Sequence, residues 1–189
     1  MAHTLKEELI KKGFKAGDAD PIVFYRFRDS DSIEIAGWYI DNRLLVSNSD
    51  ASMDRMINDI GGSFDIQDLG DPDCLLGVCI ICDKDHGTIH ISQPTFIDTI
   101  ARHFDISTGQ SISSPMCTSM ILSQCADAEG SINVPYTSLI GSLNYCAIAT
   151  QPDISYAMNK CTQYTSKSTI THWEAAKHIV CYLLCTREY

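Results

Sequence analysis

One segment sets the architecture of the N-terminal part of this chain: Ser32-Ile33-Glu34-Ile35-Ala36-Gly37-Trp38-Tyr39-Ile40-Asp41-Asn42-Arg43-Leu44-Leu45-Val46-Ser47. Two apolar runs meet at Asp41-Asn42, and both residue types tolerate the left-handed backbone of a tight turn. The pattern therefore predicts a β-hairpin over residues 33–47 with a carboxylate at its tip.

The segments around this hairpin alternate between strand and helix patterns. Strand patterns cover residues 22–27, 75–82 and 88–91, and the last two predict a second hairpin. Helix patterns with apolar residues at a 3.6-residue period cover residues 5–12, 53–60 and 94–104. The N-terminal part is therefore expected to mix strands and helices.

The C-terminal part has a different pattern. From about Ser107 to Asn133 the sequence is rich in Ser, Thr, Gly and Asp, which predicts a long connection. Three helical patterns follow, beginning near Pro135, Pro152 and Thr171. The last one is expected to begin with a capping box formed by Thr171 and Glu174. The fold class predicted for the whole chain is α+β.

Charge and composition limit the functional classes. The chain of 189 residues carries a formal charge of -10, with +2 on residues 1–28 and -12 on residues 29–189. This acidity counts against autonomous nucleic-acid binding, which usually uses a basic face. The sequence has no run of about 20 apolar residues that could cross a membrane, and its first residues lack the apolar core of a secretory signal. An intracellular location, cytoplasmic or nuclear, is therefore expected. Secretion and a membrane partner are not expected.

Nine cysteines raise the question of disulfides or zinc. The odd count and the absence of a secretory signal favour reduced thiols. Cys79 and Cys82, with His86 and His90 nearby, offer four potential zinc ligands. However, residues three apart on a strand point to opposite faces of a sheet, so a zinc site is disfavoured here.

The order of several short motifs carries a family resemblance over nearly the full length, from about Leu5 to Tyr189. Tyr39-Ile40-Asp41-Asn42 resembles the Tyr-x-Asp-Asp tip of a reverse transcriptase palm. The motifs that follow it are Asp68-Leu69-Gly70, Leu76-Gly77-Val78, Gly87-Thr88-Ile89-His90-Ile91-Ser92-Gln93, Ser114-Pro115-Met116, Pro135-Tyr136, Gly141-Ser142-Leu143-Asn144-Tyr145, Thr150-Gln151-Pro152-Asp153-Ile154-Ser155-Tyr156-Ala157 and His172-Trp173-Glu174-Ala175-Ala176-Lys177. Together they are similar to the C-terminal part of the reverse transcriptase of a copia-type LTR retrotransposon.

This resemblance implies a partial polymerase palm followed by a helical thumb-like region. Residues 1–106 would be the C-terminal part of the palm, residues 107–132 a polar connection, and residues 133–189 a three-helix thumb-like region. The hairpin over residues 76–92 would correspond to the primer grip. Ile40, Leu76 and Gly77 would then contact primer or nucleic acid. Considered without the family, Ile40 is explained as a strand residue that faces the core, and Leu76-Gly77-Val78 is equally well explained as a plain strand with a glycine where another backbone comes close.

The implied activity is RNA-directed DNA synthesis, in which two Mg²⁺ ions stabilise the attacking and leaving oxygens. The family uses an aspartate of an earlier palm strand and two at the hairpin tip. In this chain Asp41 remains as the catalytic and metal-binding carboxylate, and Asn42 offers only a weak amide ligand. The fingers and the earlier aspartate belong before Leu5. The chain is therefore expected to be a truncated reverse transcriptase that binds no Mg²⁺ stably and is inactive alone.

Two other functions stay open at this stage. The chain could be a subunit of an active polymerase that another chain completes, or a non-enzymatic remnant that binds nucleic acid or protein. The partners implied by the family are an RNA template, a DNA primer and other parts of the retrotransposon polyprotein. Without the family, Asp41-Asn42 would be taken for an ordinary surface turn.

Overall fold

A computed structural model describes residues 2–29, 31–107, 111–117, 122–123 and 134–187. For residues 2–4 and 29 it describes the backbone alone. The chain divides into two compact units, Met1–Pro72 and Asp73–Tyr189. Each unit has its own cluster of buried apolar side chains.

Unit 1 is a four-stranded antiparallel sheet with two helices. Its elements are α1 (Ala2–Lys11), β1 (Lys15–Ala16), β2 (Val23–Asp29), β3 (Ser32–Tyr39), β4 (Asn42–Ser47) and α2 (Asp50–Gly61). The strand order is β1-β2-β3-β4, so each strand pairs with its neighbour in sequence.

Alternation along the strands builds the core of unit 1. Successive side chains of a strand point to opposite faces, and Phe24, Ala36 and Trp38 all point to the buried face. Met56 and Ile60, one helical turn apart on α2, are fully buried in the same cluster. The predicted strand and helix patterns of this region are therefore confirmed.

A cluster of charges is also buried in unit 1. Arg26 and Glu34 are register partners on β2 and β3, and the side chain of Glu34 has no exposed surface. The Glu34 carboxylate accepts hydrogen bonds from Arg26, from Arg28 Nε at 3.1 Å and from Ser52 Oγ at 2.7 Å. This carboxylate therefore connects two strands to α2.

Asp59 on α2 completes the cluster. Its carboxylate accepts hydrogen bonds from Arg26 Nη2 at 2.6 Å and from Arg28. Burial raises the pKa of Asp59, but the hydrogen bonds and charges of the two guanidinium groups outweigh burial and leave this pKa lowered. The guanidinium carbon of Arg26 also lies 4.2 Å from the centroid of the Phe14 ring. Both arginines are thus held by carboxylates of two different elements.

Unit 2 is a small sheet followed by helices. Its elements are β5 (Cys74–Leu75), β6 (Val78–Asp83), β7 (Thr88–Ser92), α3 (Pro94–His103), α4 (Tyr136–Ala149), a 3₁₀ turn (Pro152–Ile154), α5 (Ser155–Thr162) and α6 (Ile170–Thr186). The three strands are antiparallel in the order β5-β6-β7.

The helices of unit 2 enclose its core. Leu139, Leu143, Ile179 and Leu183 are fully buried within it. The Tyr136 hydroxyl donates to the Cys161 carbonyl at 2.8 Å, and burial raises the pKa of Tyr136 well above its ordinary value. The predicted helices after Pro135 and Pro152 are thereby confirmed, and the α+β fold class is confirmed for the chain.

The start of α6 differs from its prediction. The capping box is formed by Thr169 and His172, with the Thr169 N–H donating to His172 Nδ1 at 3.0 Å, so the prediction of Thr171 and Glu174 is wrong by two residues. Glu174 instead pairs with Lys177 at 2.6 Å. Most of the predicted connection 107–132 lies outside the described residues, and the boundaries at 106 and 133 stay predictions.

No helix within the described residues has the length and apolar character needed to span a bilayer.

Candidate functional site

The tip of the hairpin formed by β3 and β4 is the first candidate site. Tyr39 and Asn42 are register partners, so Ile40 and Asp41 are the two turn residues. The predicted turn at Asp41-Asn42 is therefore wrong by one residue. A shift of the turn by one residue moves the pairing by two positions and leaves the same side chains facing inward, so alternation alone could not locate the turn.

Packing explains why the observed register is adopted. It sets Leu45 opposite the small Ala36 and Arg43 opposite Trp38. The Arg43 guanidinium carbon lies 5.2 Å from the centroid of the Trp38 ring, a distance at which a cation and an aromatic face attract each other. The alternative register would place Leu45 opposite the bulky Trp38 instead.

The tip projects into solvent. Ile40 is 78% exposed and Tyr39 is 49% exposed, and Asp41 and Asn42 are exposed as well. Ile40 has φ of +52°, in the left-handed region, which is unfavourable for a β-branched residue. Such strain costs on the order of 1–3 kcal/mol and often occurs at functional positions.

The carboxylates available near Asp41 determine what the tip could hold. Glu34 lies on the same hairpin but seven residues away, roughly 20 Å along the strand, and is bound to the two arginines. Asp18 and Asp20 belong to the loop that leads into β2 at the same end of the sheet as the tip. There Asp20 Oδ1 accepts the Ile22 N–H at 3.0 Å.

These residues do not fit a two-magnesium centre. In the described part of the chain, no three or more His, Cys, Asp or Glu side chains come together in a way that could hold a metal ion. A polymerase centre needs clustered carboxylates, because Mg²⁺ demands hard oxygen ligands in near-octahedral geometry. The potential metal ligands of the tip itself are the carboxylate of Asp41 and the neutral amide of Asn42.

The second candidate site is the turn between β5 and β6. Leu75 and Val78 are register partners, so Leu76 and Gly77 form a two-residue turn. Their φ angles are +53° and +80°, the combination of a type I′ hairpin turn. The sequence pattern predicts one strand over residues 75–82, which is wrong because this turn interrupts it. The Leu-Gly pair between two short apolar segments was the signal that could have revealed it.

A tyrosine of α4 anchors this turn. The Tyr145 hydroxyl donates to the Leu76 carbonyl at 2.7 Å, and the Tyr145 ring meets the Phe96 ring edge-on with centroids 5.3 Å apart. A Cβ added at Gly77 would meet no atom within 4 Å, so one face of the turn is open. Tyr145 belongs to one of the family-like motifs, but its anchoring role could not be predicted from the sequence.

Trp173 and Tyr182 on α6 are aromatic candidates for stacking on bases. Both pack against the helical core of unit 2. Trp173 contacts the Phe104 ring, with centroids 6.2 Å apart, and the Tyr182 hydroxyl donates to the Asp153 carboxylate. These contacts explain both residues as structural.

The carboxylate-tipped hairpin on an antiparallel sheet is an arrangement found in polymerase palms, and comparison with known proteins agrees. The family model described as "Reverse transcriptase (RNA-dependent DNA polymerase)" matches residues 1–118. The chain therefore belongs to the reverse transcriptase family. The prediction of a copia-type retrotransposon reverse transcriptase is confirmed.

Three relatives illustrate the match. The chain is 28% identical over 171 residues to the retrovirus-related Pol polyprotein from transposon TNT 1-94 of Nicotiana tabacum, covering 87% of this chain and 13% of the relative. It is 28% identical over 183 residues to a putative transposon Ty5-1 protein of Saccharomyces cerevisiae, covering 97% and 59%. It is 28% identical over 186 residues to the Pol polyprotein from transposon RE2 of Arabidopsis thaliana, covering 98% and 12%.

The chain thus spans between 12% and 59% of the length of these relatives. No solved structure matches it.

Proposed function

We propose that this chain is the C-terminal palm and thumb-like part of an RNA-directed DNA polymerase of a copia-type retrotransposon. The observation that carries the proposal is the exposed hairpin tip, where Asp41 follows Ile40 in a left-handed conformation. The left-handed conformation of Ile40 beside the solvent-facing Asp41 carboxylate is unnecessary for the stability of a hairpin, and such strain tends to be retained where function requires it.

Asp41 is the proposed remnant of the catalytic metal site, with Asn42 as a weak additional ligand. In the family, two Mg²⁺ ions assist the attack of a primer hydroxyl on the α-phosphate of a nucleotide. A neutral amide binds a hard dication less strongly than a carboxylate does. We therefore expect the 189-residue chain by itself to bind Mg²⁺ too weakly to polymerise DNA.

The turn at Leu76 and Gly77 is the proposed contact with the primer. Three features support this role: Leu76 is 43% exposed, Gly77 leaves one face of the backbone open, and Tyr145 fixes the turn from the side of α4. A glycine in such a position allows a ligand backbone to approach closely. Ile40 at the other hairpin tip would contact the primer end.

The proposed partners are an RNA template, a DNA primer and further parts of a Pol polyprotein. The relatives named as Pol polyproteins are several times longer than this chain. Further acidic ligands supplied by another polypeptide, or by another part of the same polyprotein, would complete the centre around Asp41.

A chimera tests this function. The part of the TNT 1-94 polyprotein that aligns with this chain is replaced by residues of this chain, and primer extension on an RNA template is measured with Mg²⁺. The parental polyprotein serves as the positive control. We expect Asp41→Ala to abolish extension, Asn42→Asp to increase it, and the exposed control Asp54→Asn on α2 to leave it unchanged.

The opposite pattern would reject the assignment. If Asp41→Ala extends primers as fast as the unsubstituted chimera, the tip carboxylate is not part of the metal site. If the chimera stays inactive even with Asn42→Asp while the parent is active, this chain does not carry a functional palm tip.

A non-enzymatic binding role is the second candidate. It is favoured by exposed apolar side chains on both sheets, namely Phe27 at 67%, Ile81 at 62% and Ile89 at 70% exposure. Exposed apolar surface of this kind is often used for interactions. Binding of an RNA–DNA hybrid by the isolated chain, weakening with salt and without primer extension, would favour this role. Extension activity of the chimera that depends on Asp41 would count against it.

A further inference from the structure

Two cysteines face each other across the first hairpin of unit 2. Cys74 on β5 and Cys79 on β6 are register partners, one position beyond the pair that closes the Leu76-Gly77 turn. The next pair outward is hydrogen-bonded, since the Ile80 N–H donates to the Asp73 carbonyl at 2.9 Å. Hydrogen-bonded and non-hydrogen-bonded pairs alternate along an antiparallel ladder. Cys74 and Cys79 therefore form a non-hydrogen-bonded pair.

The geometry of such a pair suits a disulfide. Directly opposed residues at non-hydrogen-bonded positions have Cα atoms about 4.5 Å apart, and disulfides join Cα atoms about 4.4–6.8 Å apart. Both thiols are free, Cys74 is exposed and Cys79 is half-buried. From this register we propose that Cys74 and Cys79 are a redox-sensitive pair that closes a disulfide across the Leu76-Gly77 turn when a small-molecule disulfide is the oxidant.

The reaction is thiol–disulfide exchange in two steps. One protein thiolate attacks a sulfur of oxidised glutathione, which forms a mixed disulfide and releases one molecule of reduced glutathione. The second protein thiolate then attacks the protein sulfur of the mixed disulfide and releases another. The two protein thiols are oxidised, one oxidised glutathione is reduced to two thiols, and the two protons end on those thiols.

Other cysteine pairs of the described residues are less suited. Cys79 and Cys82 lie three apart on β6 and point to opposite faces of the sheet. Cys181 and Cys185 are one turn apart on α6, where Cβ atoms are about 5–6 Å apart, beyond the roughly 3.5–4.5 Å of a disulfide. Burial raises the pKa of Cys146 to about 12 and that of Cys161 to about 11, which leaves little thiolate for exchange.

Closing the disulfide would fix the turn. It encloses the six residues from Cys74 to Cys79, including Leu76, whose carbonyl is bound by Tyr145. On the chain-entropy account, cross-linking a loop of this length lowers the population of its open states by up to about 40-fold. The proposed disulfide is independent of the polymerase role, because it follows from the register of β5 and β6 alone.

The test is oxidation of the full chain with oxidised glutathione, followed by alkylation of the remaining thiols and digestion with chymotrypsin. Cleavage after Leu75 or Leu76 separates Cys74 from Cys79, so the two peptides stay joined only through a disulfide. Each thiol of the pair experiences the other at an effective local concentration of about 1 mM. At about 10 μM protein, disulfide formation within the pair should therefore be about 100-fold faster than disulfide formation between molecules.

Matched variants make the result specific. Cys82→Ser should keep the linked peptide, and Cys74→Ser should eliminate it and leave glutathione on Cys79. Hydrogen exchange of the Leu75 and Val78 amides should slow on oxidation of the wild type and of Cys82→Ser, but not on oxidation of Cys74→Ser. The proposal is overturned if oxidation of the folded wild type gives no peptide pair joined through Cys74 and Cys79. It is equally overturned if Cys79 links to Cys82. A third contradicting result is an equal yield of the Cys74–Cys79 link when the chain is oxidised while unfolded in guanidinium chloride.

Discussion

Replacing Glu34 by glutamine should strongly destabilise unit 1. The substitution keeps the size of the side chain but removes the negative charge that Arg26 and Arg28 bind. Glu34 is fully buried and the side chain of Arg26 is 8% exposed, so solvent cannot replace the lost charge. Breaking a buried ion pair by removing one partner costs about 3–5 kcal/mol.

The lower end of this range is expected here. Arg26 retains Asp59 as a second partner at 2.6 Å, which limits the charge left uncompensated, so we expect a loss of about 3 kcal/mol. Unit 1 comprises Met1–Pro72, and a stability of about 0.05–0.15 kcal/mol per residue gives such a unit roughly 4–11 kcal/mol. The substitution would therefore remove between about a quarter and three quarters of the stability of the unit.

Urea unfolding measures this loss through tryptophan fluorescence. The chain has two tryptophans, of which Trp38 lies in the core of unit 1 and Trp173 in unit 2. A Trp173→Phe background makes the signal specific to unit 1. Asp54→Asn, an exposed acid on α2, serves as the control and should change the free energy of unfolding by no more than about 0.5 kcal/mol. If Glu34→Gln changes it no more than this control does, the reasoning about the buried charge cluster is wrong.

Three further predictions concern single interactions. The pKa of Asp59 is lowered in the folded chain, so its stabilising contribution is present above the ordinary aspartate pKa and is lost as the pH falls through the lowered value. Acidification should therefore lower the urea midpoint of unit 1 more in the wild type than in Asp59→Asn. An equal decrease in the two proteins would contradict this. Tyr145→Phe removes the hydrogen bond to Leu76 and should cost about 0.5–1.5 kcal/mol in unit 2, with faster hydrogen exchange at Gly77; unchanged exchange would exclude the anchoring role. Ile40→Asn should stabilise unit 1 by up to about 1 kcal/mol, because asparagine tolerates the left-handed backbone better; a destabilisation measured by urea unfolding would show that Ile40 is not strained.

The regular elements could be predicted from the sequence because their periodicities are local. Phe24, Ala36 and Trp38 alternate along two strands, and Met56 and Ile60 recur one helical turn apart. The ordered motifs also identify the family from the sequence alone. These signals depend on residues close together in the chain.

The turns and the charge cluster could not be predicted in the same way. Both Ile40-Asp41 and Asp41-Asn42 satisfy the alternation of the hairpin, and packing of Arg43 on Trp38 distinguishes them. The contact of Glu34 with Ser52 joins residues that are distant in sequence. Thr169 caps α6 with a histidine as its partner instead of the glutamate that the usual motif contains.

Primer extension by the isolated 189-residue chain on an RNA template, with Mg²⁺ or Mn²⁺ as the cation, addresses the metal site most directly. With Asp41 as the one carboxylate of the tip, we expect no template-dependent product above the level of a reaction without protein. A template-dependent product that disappears in Asp41→Ala and persists in Asp54→Asn would show that this chain assembles a working metal centre and would contradict the account.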